Sequence, residues 1–454
     1  MSMLIIADDL SGAADCAIGF ASAGYRTVVA LEASAQALDA HAADVIAADT
    51  DTRRLTAAEA ARRTAAAWQA LRVPGRRLYK KIDSTLRGNW AAEVAALQSL
   101  AGLAIVAPAF PATGRTLRGG RVLVHGKPLE GTDTWKLENA GRAADLHAML
   151  AEVGLSTAQL NVDALREGGQ ALTARIAAVA ASGTQALIVD AETSEDLLTL
   201  AQATTQMDQA LFWVGSGGLA REIASLEGLF GARAAEETTS ASERQREEQQ
   251  KQQKQQKQQD HSPVLVLVGS LSAVSERQCA MLRDRAGMAE LTVPPGVLRD
   301  GERHADWAAW QTRIGEALGT RADLLLRIGR DDAFDPAEGA LLSAALAALV
   351  KPHFAALGGL IATGGETARA MLSAAGIGSI ELIAEIEAGV AVGKPVATCA
   401  LRPHLRIVTK AGAFGTDHAL FAAWRYLHEA PAEPAASAAP AAPAAAGTGS
   451  HDSA

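Results

Sequence analysis

The chain has 454 residues, 49% of them hydrophobic, enough for two or three cored domains at roughly 100–200 residues each. A formal net charge of −9 and an aromatic content of only 4% argue against a nucleic-acid partner, which would need a basic surface or stacking platforms. No run of about 18 uniformly apolar residues suggests a membrane partner, and the scattered Cys16, Cys279 and Cys399 form neither a disulfide framework nor a zinc motif.

In chain order, MLIIA at 3–7 reads as a strand, followed by Asp8, Asp9, Ser11 and Gly12 and then a helix over about 13–23. Adjacent residues of an extended chain point opposite ways, so one of the two carboxylates would face a ligand, accepting hydroxyl hydrogen bonds or acting as a general base. The competing role is capping of the helix by Asp9 or Ser11. Strands are expected at 27–31 and 43–49, and TDTRRL at 50–55 then offers Arg53 and Arg54. An arginine fork suits a carboxylate, although a surface ion pair uses it equally.

A helix over 57–71 leads to a strand at 77–83 and to YKKIDSTLRGN at 79–89. Lys80, Lys81, Asp83, Ser84, Thr85 and Arg87 are thereby packed into one strand-to-helix junction. Cations neutralise an acid, and Asp with hydroxyls reads an OH pattern, so the cluster suits an anionic, hydroxylated ligand. A helix over 89–100 and strands at 103–109 and 186–191 continue the alternation. APAFPATGRTLRGG at 107–120 is a loop with Arg115 and Arg118, able to cover a site or touch phosphate; GSGGLARE at 215–222 is a glycine-led helix start.

The Gln/Lys/Glu tract at 235–261 has no apolar stripe and reads as a linker or enlarged loop, and the Ala/Pro-rich 429–454 reads as a disordered tail. They separate a front block, 1–234, from a back block, 262–428. The back block repeats the pattern with strands at 264–270, 324–329, 359–365 and 405–415. Three of these end in glycine loops: Gly269, Ser270 and Ser272; Thr363, Gly364, Gly365, Glu366 and Thr367; and KAGAFG at 410–415. Glycines let backbone N–H groups approach a polyphosphate at a helix N-terminus. No G-x-x-x-x-G-K-[ST] run is present, so the P-loop class is excluded. The fold class is therefore α/β: two domains, each a mostly parallel sheet flanked by helices, with ligands beyond the carboxyl ends of the strands. No H-x-x-x-H pair occurs, so no metal site of the protein's own is expected.

IADDLSGAAD, TDTR, YKKIDSTLRGN, APAFPATGRT, GSGGLA, VGSLS, ATGGET and KAGAFG occur in this order. Together they resemble the four-carbon acid sugar kinase family over nearly the whole of 1–234 and 262–428. The resemblance implies an N-terminal acid-sugar domain, a C-terminal ATP domain and an active site in the cleft between them. It implies substrate contacts at Asp8, Asp9, Arg53, Lys81, Ile82, Asp83 and Ser84. Arg53 and Lys81 would hold the sugar carboxylate, and Asp8 or Asp83 would take the proton from the 4-hydroxyl. It implies ATP contacts at Ser270, Thr363, Gly364, Gly365, Glu366, Thr367 and Gly412, with Mg2+ arriving on the nucleotide.

KKIDST resembles the threonate/erythronate branch more than the 3-oxo-tetronate branch. Ala413, where a second glycine or small polar residue is expected, departs from the pattern, as do the tract and the tail. The N-terminus has no basic segment ahead of its apolar run, so no secretory signal is expected and the cytoplasm is the expected place of work; a homodimer is compatible with the reading. From another functional class, a non-catalytic protein that closes on a small anion would share the two-block architecture.

Overall fold

The computed structural model describes residues 2–33, 43–139, 141–230, 262–270, 272–333, 335, 338–396, 405–412 and 414–429. The expected linker, the tail beyond Glu429, Cys399 and Ala413 lie outside the described residues.

The first part contributes β1 (Ser2–Ala7), β2 (Thr27–Ala30), β3 (Val45–Asp49), β4 (Arg76–Lys81), β5 (Leu103–Ala107), β6 (Arg115–Arg118), β7 (Arg121–Val124), β8 (Lys127–Pro128), β9 (Thr157–Leu160), β10 (Ala186–Val189) and β11 (Leu211–Gly215). The second contributes β12 (Val264–Val268), β13 (Ala289–Val293), β14 (Leu324–Ile328), β15 (Gly359–Thr363), β16 (Ser379–Glu387), β17 (Val390–Pro395) and β18 (Arg406–Lys410). Fifteen of these strands form one sheet in the order β13-β14-β12-β15-β18-β17-β16-β2-β3-β1-β4-β11-β5-β10-β9, and β6, β7 and β8 form a small antiparallel sheet.

The fold is the expected mostly parallel α/β sheet, with one difference. The two blocks share a single sheet, because β16 pairs antiparallel with β2 through Ser379↔Ala30, Ile380↔Val29 and Glu381↔Val28. The hairpin β16–β17, which makes this junction, has no strong sequence signal: its outer half alternates poorly, and two register shifts interrupt it. Central strands such as β1, β3, β5 and β12 are buried from end to end or nearly so, which is why they read as continuous apolar runs. The helix Ala57–Leu71 falls where its 3.6-residue pattern predicts. The strands expected at 77–83, 103–109, 186–191, 264–270, 359–365 and 405–415 end two to five residues early, since the polar residues after them belong to loops.

Among the described residues one helical stretch, Gly339–Ala356, is long and apolar enough to cross a membrane by length and composition. Its Leu342, Leu346, Leu349, Val350 and Phe354 are instead packed in the core.

Register positions the loops. In the front part Ala7 of β1 is level with both Asp49 of β3 and Lys81 of β4, so three neighbouring strands end flush. Chain direction reverses here: the path from β1 leads to one side through β3 and returns to the other at β4. Such a switch point opens a crevice at the carboxyl ends of the strands. In the back part Val268, Thr363 and Lys410 are level in the same way on β12, β15 and β18.

Candidate active site

The loops after β1, β3 and β4 bring the front motifs together. Asp9 has extended backbone and caps the helix Leu10–Ser22, its Oδ1 accepting from Gly12 N at 2.9 Å. Asp8 is buried. Both carboxylates are gripped by Arg53, whose Nε and Nη2 donate to Asp8 at 2.8 and 2.9 Å while Nη1 donates to Asp9 at 2.9 Å. The expectation was a guanidinium offered to a substrate; here three of its five N–H groups serve protein carboxylates. Burial raises the Asp8 carboxyl, but Arg53, Lys80 and Lys81 outweigh it and hold the group below the usual carboxylate range.

The two lysines of YKKID part company. Lys80 is fully buried and pairs with Glu93 at 2.8 Å, a structural bridge. Lys81 is 5% exposed, yet its ammonium has no hydrogen bond or ion pair among the described residues. Its Nζ lies over Gly12, where a Cβ would approach it to 2.8 Å. A buried cation left without a partner is costly unless an anion completes it.

Ile82 is core, its N–H donating to Gly215 O at 2.8 Å. Asp83 is saturated: it accepts from Thr85 N at 3.0 Å, from the Thr85 hydroxyl, and from Arg87 Nε and Nη2 at 3.1 and 2.8 Å. Burial opposes its ionisation, but Arg87, Arg53 and Lys81 hold it well below the usual range. Ser84 is buried beside it, and its hydroxyl makes no hydrogen bond among the described residues.

In the back part the three glycine loops meet. Ser270 Oγ bonds Ser272 Oγ at 3.1 Å, and a Cβ on Gly412 would lie 2.8 Å from Ser270 Oγ. Thr363 is buried with its hydroxyl unpartnered. Gly364 turns the chain at φ 91°, and the helix Gly365–Ala374 starts without a side-chain cap, leaving its first N–H groups for a ligand. Thr367 bonds Ser343 at 3.1 Å and packs on Gly269.

Lys410, a residue inside KAGAFG that its sequence gives no reason to single out, donates to the carbonyls of Ala411, Gly412 and Phe414 at 2.9, 2.9 and 3.0 Å. It ties the loop into shape. Burial lowers its pKa to about 8.

Front and back loops touch. A Cβ on Gly365 would sit 3.0 Å from Asp9 Oδ2 and 3.3 Å from the unpartnered Ser11 Oγ. Glu366 pairs with Arg54, and Arg369 with Asp49 at 2.6 Å and Asp51 at 3.3 Å. Arg221 donates to Glu385 at 2.8 Å. Arg115 stacks over the Phe414 ring at 5.1 Å. These partners lie 164 residues apart or more in sequence, too far for local pattern to pair them. Among the described residues no three His, Cys, Asp or Glu side chains converge on a metal position.

Two family models match the chain. Residues 3–223 match a family described as a sugar-binding N-terminal domain, and residues 265–420 one described as a nucleotide-binding C-terminal domain. A D-threonate kinase of Cupriavidus necator is 53% identical over 435 residues, covering 96% of this chain and 100% of that protein. A D-threonate kinase of Bordetella bronchiseptica is 34% identical, covering 94% and 97%. A D-erythronate kinase of Heliobacterium modesticaldum is 27% identical, covering 94% and 97%. A solved Haemophilus influenzae protein of family DUF1537 shares the fold at a TM-score of 0.66 and 21% identity, covering 93% of this chain and 100% of its own. With both halves matched and the whole length aligned to such relatives, the chain belongs to the four-carbon acid sugar kinase family.

Proposed function

We propose that the protein transfers the γ-phosphoryl group of ATP to the terminal 4-hydroxyl of a four-carbon acid sugar, D-threonate first and D-erythronate second. The observation that carries this is the contact of the Gly365 turn with Asp9 and Ser11, which sets an uncapped helix start of the back part against the carboxylates and free ammonium of the front part. The threonate preference rests on the kinase names of the relatives at 53% and 34% identity.

In this reading Lys81 neutralises the sugar carboxylate, helped by the remaining N–H groups of Arg53. Asp8, Asp9, Asp83 and Ser84 order the hydroxyls, with the backbone at Ile82 fixing their loop. Asp8 is the first choice of base, because Arg53 keeps it ionised; Asp83, already accepting four hydrogen bonds, is the second. ATP lies along Ser270, Thr363–Thr367 and Gly412. Mg2+ would arrive with the nucleotide and would neutralise phosphate charge. Positioning and charge neutralisation supply most of the rate in such transfers. ATP as co-substrate fits work in the cytoplasm.

The test is ADP release with a panel of D-threonate, D-erythronate and 3-oxo-tetronate. Turnover on D-threonate with the highest kcat/KM is expected. Preference for 3-oxo-tetronate would move the chain to the other branch. Tight binding of one acid without ADP release would make it a binding protein.

A further inference from the structure

Arg115, in the loop that the sequence marks as able to touch phosphate, has no role in the proposed transfer as described so far. It opens β6, and its backbone is pinned on both sides: Phe110 N donates to Arg115 O at 2.8 Å and Arg115 N to Phe110 O at 3.1 Å. Phe110 is itself buried in the core, and the intervening turn is closed by Thr113 Oγ1 donating to Phe110 O at 2.9 Å. The side chain is therefore presented from a rigid base. None of its nitrogens makes a hydrogen bond or ion pair among the described residues, and Nε is fully buried. A guanidinium has five donors, and burying one unsatisfied costs free energy that a bound anion would return.

Its surroundings define where that anion lies. On the front side Asp83, Arg87 and Asp15 are close enough for their charges to act on it. On the back side its plane covers the Phe414 ring, in the loop that Lys410 shapes. Asp83 is already filled by Thr85 and Arg87, so it leaves Arg115 free. Arg115 thus stands at the seam between the acid-sugar loop and the third glycine loop, reaching toward both.

We infer that Arg115 contacts the phosphoryl group in transit between nucleotide and acid sugar. The inference rests on the kinase reading and adds a residue to it. In the step, the 4-hydroxyl oxygen bonds to the γ-phosphorus as the bond from that phosphorus to the β,γ-bridging oxygen breaks. ADP leaves with the electron pair, and the hydroxyl proton passes to the front carboxylate. Charge on the equatorial oxygens is spread between the two domains at that moment, and a donor fixed at the seam meets it without reorganising. Lys81 would serve the sugar carboxylate in substrate and transition state alike; Arg115 would act chiefly in the transition state.

The experiment is steady-state kinetics of R115M and R115K on D-threonate and ATP, with thermal melts confirming folding. For R115M, kcat is expected to fall about 10²–10³-fold while KM for both substrates shifts less than threefold. R115K should keep more kcat than R115M, and added guanidinium should restore part of it to R115A. A tenfold rise in acid-sugar KM with kcat retained would overturn the inference and make Arg115 a substrate-carboxylate contact. Unchanged kinetics in R115M would overturn it outright. Wild-type protein that phosphorylates no four-carbon acid would bring down the kinase reading itself, an outcome distinct from both.

Discussion

Nη1 of Arg369, on the helix that follows the second glycine loop, lies 2.6 Å from Oδ2 of Asp49 at the end of β3. The pair joins the part that matches a nucleotide-binding domain to the part that matches a sugar-binding domain, 320 residues apart in the chain. Asp49 is almost fully buried, and burial pushes its carboxyl up to about 7, with Arg369 and the Asp51 N–H pulling it back only in part.

This shift has a sign. A carboxyl raised in the folded state binds its proton more tightly there than in the unfolded chain. Its contribution to stability is fully present below about pH 4 and is lost as pH rises through about 7, on the order of 4 kcal/mol at most. D49N has no such proton to lose. Urea unfolding of wild type and D49N at pH 5 and pH 8 should show the stability difference shifting against the wild type at pH 8. A difference that does not change with pH would contradict the argument.

Lys410 gives the opposite sign. Its ammonium offers three donors to three loop carbonyls; the neutral amine has two. As pH rises through about 8 one carbonyl loses its donor, and KM for ATP should rise. Stability should meanwhile climb between about pH 8 and 10.5, because the folded chain no longer carries the cost of the buried charge. K410M should weaken nucleotide binding at least tenfold by calorimetry, and an unchanged Kd would show that the loop keeps its shape without it.

Asp8 is too buried to remain ionised without Arg53, whereas Arg53 keeps Asp9 as a partner if Asp8 becomes the isosteric amide. R53M leaves Asp8 without its bidentate partner and should cost about 3 kcal/mol in urea unfolding. D8N should abolish phosphorylation while leaving the fold and ATP binding intact. Turnover near the wild-type rate in D8N would remove Asp8 as the base.

Gly12→Ala places a methyl 2.8 Å from Lys81 Nζ and closer still to the capping oxygen of Asp9. The ammonium must move off its position over the helix start. KM for the acid sugar should rise tenfold or more with ATP binding unchanged. A wild-type KM in this variant would mean that Lys81 does not need that position.

Much of the molecule was legible in its residues. Strands buried on both faces are continuous apolar runs, and the glycine and Asp-rich ends of β1, β4, β12 and β15 mark the loops because only loops tolerate such residues there. Less legible were the caps and pairs that give each polar residue its role. The run KKID contains two lysines of equal appearance, and only packing makes one a partner of Glu93 and leaves the other open.

By itself the sequence determined the class of fold, the two groups of loops and the chemistry available in each, since those follow from local periodicity and composition. The tertiary structure decided which groups meet. It joined the two blocks through β2 and β16, spent Arg53 on Asp8 and Asp9, and brought Gly365 onto Ser11 and Phe414 under Arg115. These are contacts between residues far apart in the chain. They are set by strand register and by burial of the whole sheet, quantities that no local window of sequence contains.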